Sequence, residues 1–389
     1  MTCQTDTSKL NDVVAMLSTE GFDGMSEAVI VLLNEAMKLD RERHLKATPY
    51  ERNSARQGYA NGFKPKTLQT RLGSLPLAIP QVRQSDSAFY PACLEKGQRS
   101  ERALKTALAE MYIQGVSTRK VKAVTEKLCG YEVTSTQVSR ITQELDGPMQ
   151  KWRDRPLGQF LYLIVDARYE KVRHVGQVID NAVLIAFGID ASGKRHVLGV
   201  SVSLSEAEVH WRAFLESLIK RGLHGVEMII SDAHSGLKAA RQAVFPSVPW
   251  QRCQFHLQQN ASSYVPKQSL KKGVAKDIRD IFNAPNEVEA QRLLKMSVEK
   301  YAQHAPKLAD WMESNIAEGF AVFSCPEAYW KKLRTSNLAE RINKEIKRRT
   351  RVVSIFPNEE ACLRLVSALL IEQDEEWTHA KAYLPIETA

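Results

Sequence analysis

Six cysteines stand at positions 3, 93, 129, 253, 325 and 362, too scattered for a disulfide framework. Unpaired thiols in a long chain point to a reducing compartment. No apolar run approaches the roughly 20 residues that a membrane span requires. The longest candidate, Ala28 to Leu33, meets Asn34 and Glu35 at once. The opening MTCQTDTSKL has neither the basic nor the apolar region of a secretory signal. These absences set aside a secreted disulfide scaffold and an integral membrane protein. A cytoplasmic protein with no membrane partner is expected.

What is present is an ordinary globular mixture, 43% hydrophobic and 25% charged, over 389 residues. That length suggests two or three domains. Lys and Arg number 54 against 45 Asp and Glu, leaving +9 and a pI near 9.1. A basic balance suits a polyanion, because phosphate contacts release condensed counterions. A merely basic protein would show the same numbers.

Along the chain the character changes several times. Residues 1–49 hold an amphipathic helical segment, with Val29, Leu32, Leu33, Ala36, Met37 and Leu39 at helical spacing. Such a stripe is either core or a dimerisation face. Residues 50–100 mix basic residues with Gly, Tyr and Phe and then alternate as LQTRLGSLPLAIP. Arg52, Arg56, Lys64, Lys66 and Arg71 are candidates for DNA phosphates, against the alternative of a solvated linker. Residues 101–146 spell three helices, stopped at Gly115 and Gly130 and started at Ser117 and at Thr134 or Ser135. A helix-turn-helix fits them, as does any small helical bundle. Arg119, Gln137 and Arg140 are its candidate DNA contacts.

Gly147, Pro148 and Pro156 mark a boundary. Residues 157–257 then alternate strands and helices as an α/β layered core. GQFLYLIVD, NAVLIAFGID, RHVLGVSVSLS, VEMIISD and VPWQRCQFH read as strands, and Ser205 with Glu208 reads as a capping box for the helix that follows. Residues 258–327 are mainly helical, and 328–380 end the chain in a pair of helices.

Two aspartates stand out because of where they fall. Asp166 interrupts a buried-type strand, and Asp232 ends another. A carboxylate there is costly unless it is paired or binds a cation, and Mg²⁺ or Mn²⁺ prefers such oxygen donors. A strand-end turn or a helix cap would explain either aspartate alone. In RTSNLAERINKEIKRRTRVV, Leu338, Ile342 and Ile346 form the buried stripe, and Glu340 lies off it among Arg341, Lys344 and Arg348. Glu340 is either a surface ion-pair partner or a metal ligand in a basic cleft. Asp190, in a hairpin turn, and Glu345, beside the stripe, are not site candidates. Cys253 and His256 alone do not make a tetrahedral zinc site.

LIVDARYEKVR, IISDAHSGLKAA, QRCQFHLQQNASSYVPK and LRTSNLAERINKEIKRRTRVVSIFPNEEACLRLV, in that order, resemble the motifs of the Mutator-type bacterial insertion-sequence transposases. GYANGFKPKTLQTRLGSLPLAIPQVR and MYIQGVSTRKVKAVTEKLCGYEVTSTQVSRIT resemble the family's amino-terminal half, so the likeness spans about residues 50–380. It implies a DDE enzyme with an RNase H-like core and a helical insertion, preceded by helical DNA-binding regions. Asp166, Asp232 and Glu340 would be the catalytic triad, with two Mg²⁺ or Mn²⁺ ions per site and Cys253 and His256 in a motif near it. The implied partners are double-stranded DNA (terminal inverted repeats and a target), with the protein acting as a homodimer at the nucleoid. His234 and Ser235 stand where smaller or more variable residues are expected. A helix-turn-helix transcription regulator and an RNase H-like nuclease without strand transfer are the rival readings. The regulator leaves both aspartates unexplained.

Overall fold

In LPLAI, Leu75, Leu77 and Ile79 alternate, which puts all three on one face of a strand. A computed structural model describes residues 7–386 and shows what covers that face. The chain divides into two units, 1–144 and 145–389. In the first, helices α1 (Thr7–Glu20) and α2 (Met25–Leu45) precede a hairpin of β1 (Tyr59–Thr70) and β2 (Gly73–Arg83). Met37 of α2 is buried with Leu75, Leu77, Ile79 and Leu94, and Val29 and Leu33 pack beside it. Of the amphipathic stripe, Val29, Leu33 and Met37 thus face the core of this unit, whereas Leu32, Ala36 and Leu39 stay exposed.

Residues 59–66 belong to this hairpin, where β1 pairs with β2 with a register shift between Ala60 and Phe63. Three α-helices complete the unit: α3 (Arg102–Ile113), α4 (Thr118–Cys129) and α5 (Ser135–Gln143). Leu104, Leu108, Val121, Val138 and Ile141 are buried among them. Ser117 caps α4 by accepting the Lys120 N–H, and Gly130 ends it at φ +67°, a left-handed turn that glycine adopts without strain.

The second unit opens with α6 (Asp146–Arg153) and a five-stranded mixed sheet. Strands β3 (Phe160–His174), β4 (Gln177–Asp190) and β5 (Arg195–Ser203) form an antiparallel meander. After α7 (Glu208–Lys220) the chain crosses to β6 (Met228–Ser231), parallel to β3. After α8 (Ser235–Val244) it adds β7 (Trp250–Arg252), parallel to β6. The order is β5-β4-β3-β6-β7. One face packs Leu163, Val165, Leu184, Leu198 and Ile229 against Trp211, Phe214, Leu218 and Leu237 of α7 and α8.

Two local expectations fail here. Ser205 and Glu208 form no capping box: Ala207 is the N-cap of α7, and Ser205 Oγ instead accepts the Ala207 N–H. The backbone at 206–208 is held by α8, where a Cβ on Gly236 would lie 2.1 Å from the Glu206 carbonyl oxygen. The stretch VPWQRCQFH is a strand only to Arg252; Cys253 then caps helix α9 (Gln254–Ala261). A parallel edge strand needs only three ladder pairs here, and the following residues satisfy their backbone in a helix instead.

Helices α9, α10 (Lys271–Phe282), α11 (Glu287–Tyr301) and α12 (Pro306–Asn315) gather around Leu257, Ile278, Ile281, Leu308 and Met312, a core of their own. Then α13 (Glu327–Leu333), α14 (Asn337–Val353) and α15 (Glu359–His379) return to the sheet, where Trp377 meets Phe187 at a ring distance of 5.8 Å.

Candidate active site

The strand register decides which carboxylates can meet. Tyr162, Leu163 and Ile164 of β3 pair with Met228, Ile229 and Ile230 of β6, a constant offset of 66 residues (230 − 164). The interval from Asp166 to Asp232 is the same 66 (232 − 166). The two aspartates are thus continuations of one parallel pairing and leave the same side of the sheet. Here β6 ends at Ser231 while β3 runs on to His174, so Asp166 sits in mid-strand where its neighbour stops. The carboxyl end of parallel strands is where open α/β sheets build sites.

Helix α14 brings the third carboxylate. Its buried stripe, Leu338, Ile342 and Ile346, packs inward, which turns Glu340 and Asn343, one turn apart, toward the strand ends. Asn343 Nδ2 donates to Asp166 Oδ2 at 2.8 Å, and the Ala167 N–H donates to Asp166 Oδ1 at 2.9 Å. Two residues further along β3, Arg168 donates to the Asn343 carbonyl and pairs with Glu170. Glu170 in turn accepts the Thr350 hydroxyl at 2.9 Å. Residues 166, 168 and 170 share one face of the strand, so the strand and the helix are joined rung by rung.

Between the carboxylates lies His256, with Nδ1 3.8 Å from Asp232 and Nε2 3.9 Å from Glu340. It stands in the first turn of α9, three residues after Cys253. Cys253 is fully buried; its N–H donates to the Ser231 carbonyl at 2.8 Å, and its Sγ accepts the Ser336 N–H at 3.4 Å. Those two bonds tie the start of α9 to the end of β6 and to the start of α14.

The protonation states follow from these contacts. Burial, reinforced by the charges of Asp232 and Glu206, pushes Asp166 up to about 7, against the Ala167 N–H and His256, which work the other way. A hydrogen bond with Cys253, helped by the charges of Cys253, Asp232 and Glu340, raises His256 to about 9. Burial resists ionisation of Cys253, but its bonds to His256 and Ser336 outweigh that and hold the thiol below its ordinary value. Glu340 Oε1 and Asn343 Oδ1 are buried without a hydrogen-bond partner. An unpaired carboxylate oxygen of this kind costs free energy unless a cation meets it.

Beside the site, α14 carries Arg341, Lys344 and Arg348. Arg348 is held by Glu345 through two bonds, at 2.7 and 2.9 Å. Glu345, as expected, serves this pair and not the site. Asp190 is likewise occupied in its turn, accepting from Ser192, Lys194 and His196.

Asn343, Arg168 and Glu206 were not legible as site residues, since nothing local distinguishes them from solvated polar residues. In the first unit, Lys64, Arg119 and Arg140 are exposed. Arg56 is tied to the carbonyls of Glu51 and Gly58, Lys66 to the Tyr90 hydroxyl and Arg71 to Glu101. Gln137 is engaged in a capping box with Thr134. Of the tryptophans, Trp211 is fully buried and Trp250 donates to Ser231 Oγ, both structural placements.

Three carboxylates converging at strand ends, with a basic helix alongside, make an arrangement suited to divalent cations beside a polyanion. Comparison with known proteins gives the family. The family model described as "Transposase, Mutator family" matches residues 1–380. The chain is 56% identical to the transposase for insertion sequence element IS406 of Burkholderia multivorans, covering 99% of each. It is 42% identical to the transposase for ISRM5 of Rhizobium meliloti, over 93% of this chain and 90% of that one. It is 34% identical to the transposase for IS256 in transposon Tn4001 of Staphylococcus aureus, over 96% of each. The chain belongs to the Mutator family of transposases.

Proposed function

We propose that this transposase cleaves DNA at the terminal inverted repeats of an insertion sequence and joins the freed ends to a target. On this reading Asp166, Asp232 and Glu340 are the catalytic triad of an RNase H-like core. The observation that carries it is the shared offset of 66 between the β3–β6 register and the two aspartates, with Glu340 brought to them across His256.

The donor set fits hard cations. Asp166, Asp232 and Glu340 offer only oxygens, and Glu340 Oε1 accepts no hydrogen bond, His256 Nε2 standing 3.9 Å away. Cys253, His256 and Glu340 also place ligand atoms within 4.8 Å of one another. Cys253 Sγ, however, is already engaged by Ser336 and His256, so the carboxylates are the free donors. Two Mg²⁺ or Mn²⁺ ions, when bound, supply activation of the attacking oxygen and stabilisation of the leaving one.

The chain's own residues do the rest. His256 keeps its second ring proton at neutral pH, and that charge offsets the repulsion between Asp232 and Glu340. Arg341 and Lys344 meet the phosphates flanking the scissile bond, with Arg348 less available because Glu345 holds it. Residues 101–146 act as a helix-turn-helix that reads the repeat, with Arg119 and Arg140 at the DNA and residues 50–100 adding Lys64. Residues 258–327 are a helical insertion between the two parts of the core, 157–257 and 328–380. The protein works as a homodimer on its DNA, with residues 1–49 the candidate dimerisation segment.

The test mixes protein, labelled end DNA, Mg²⁺ and a supercoiled target. Joined product is expected, and Asp166→Ala, Asp232→Ala and Glu340→Ala should each abolish it while end binding persists. Cleavage without joining would make the protein a nuclease. Binding without any metal-dependent cleavage would make it a regulator.

A further inference from the structure

Among the described residues, Asn343 is the side chain of α14 that hydrogen-bonds a triad carboxylate, and the contact is specific in direction. The ionised carboxylate, the form that takes a cation, can only accept, so Asp166 Oδ2 then requires that the Asn343 amide nitrogen face it, as it does here. Nothing else fixes the amide, because Asn343 Oδ1 is buried without a partner. The backbone of the same residue is held separately, its carbonyl accepting from Arg168, which is paired to Glu170, which accepts from Thr350. A single residue thus ties α14 to β3 through both its side chain and its main chain, one turn from Glu340. Of the roughly four acceptor positions on Asp166, one on each oxygen is taken, by Ala167 and by Asn343. The remaining positions are free for a cation.

We propose that Asn343 is a positioning residue for the reaction, holding the Asp166 carboxylate in the orientation in which it and Glu340 take divalent cations. The proposal rests on the reading of Asp166 and Glu340 as cation ligands. Partners that orient a ligating carboxylate change metal affinity by roughly 10–100-fold when removed. Leucine has the same branching and the same number of side-chain heavy atoms as asparagine but is bulkier and donates nothing. Serine keeps a donor that is too short to reach Asp166 from the same backbone position.

Two half-saturation points for Mg²⁺ are measured on the full chain: cleavage of end DNA, and the rise in thermal unfolding temperature without DNA. Asn343→Leu is expected to raise both by about 10-fold or more, and Asn343→Ser to raise both by less or by as much. In both variants the salt dependence of DNA binding should match the parent. Lowered unfolding temperature in EDTA with unchanged half-saturation would mean a packing role only and would overturn the proposal. Should Asn343→Leu fail to fold, the Asn343→Ser thermal half-saturation decides alone: a shift supports the proposal, and none sinks it. Asp166→Ala separates the two levels of inference. If it keeps the Mg²⁺-induced stabilisation, the reading of the triad is wrong; if it loses it while both Asn343 variants behave as the parent, only the role of Asn343 is wrong.

Discussion

Replacing Asp166 with asparagine should remove activity and, without metal, make the protein more stable. Burial and the neighbouring carboxylates lift Asp166 from an ordinary 3.8 to about 7, so its ionised form is held in the fold at a cost. A rise of about three pH units corresponds to at most ~4 kcal/mol. Asp166 is half-buried at a site open to solvent, so screening halves that to ~2 kcal/mol. The sign follows from linkage: a folded-state value above the unfolded one leaves stability full below about pH 4 and erodes it as pH rises toward 7. The asparagine of the variant carries no charge and would feel none of this. Its amide can still serve the site, since Asn343 Oδ1 lacks a partner and can accept once the Asn343 amide turns over, exchanging one orphan atom for another. For a unit of 145–389, ~2 kcal/mol shifts Tm by about 4–8 °C. The assay is thermal unfolding of parent and Asp166→Asn in EDTA at pH 4 and pH 8, repeated with Mg²⁺ at pH 8. Equal stability at pH 4, a more stable variant at pH 8, and Mg²⁺ stabilisation in the parent alone are expected. A variant less stable than the parent at pH 8 in EDTA, or one stabilised by Mg²⁺ as strongly, would refute the reasoning.

Charge removal on α14 should separate its basic residues. Lys344→Gln is expected to weaken DNA binding on all sequences alike and to reduce the salt slope by about 1, whereas Arg348→Gln, already paired with Glu345, should change it less. Equal slopes for both would show that the ion pair opens on DNA. In the helices of the first unit, Gln137→Ala should cost about 1 kcal/mol of stability through loss of its capping box, read as a lower Tm. Arg140→Ala, at an exposed position, should leave Tm unchanged and narrow the preference for end DNA over random DNA. If Arg140→Ala discriminates as well as the parent, recognition lies on another surface.

Much of the site is legible in the residues themselves. Asp166 and Asp232 stand out because a carboxylate breaking an apolar strand demands a reason, and the basic, amphipathic α14 shows its buried stripe through spacing alone. The capping box at Thr134 and Gln137 is also written in the residues, yet Gln137 reads as a base contact because its polarity suits both roles. Cys253 and His256 read as strand, since a short apolar run does not reveal where it turns into a helix. Which residues of the stripe on α2 are core shows only once the hairpin of β1 and β2 packs on Val29, Leu33 and Met37 and leaves Leu32, Ala36 and Leu39 exposed.

Periodicity and caps are encoded within a few residues, so most of the strands and helices, and the faces they bury, are set by local pattern. The site is not. Asp166 meets Asp232 because β6 pairs with β3 at an offset of 66, and Glu340 arrives a further 108 residues on (340 − 232) by way of α14. His256 reaches both Asp232 and Glu340 only because Cys253 is bonded to Ser231 on one side and Ser336 on the other. Those meetings depend on strand order and on how helices cross the sheet, which no local pattern specifies. It took the packing of α14 against β3 to make Asn343, one polar helix residue among many, the partner of the first aspartate.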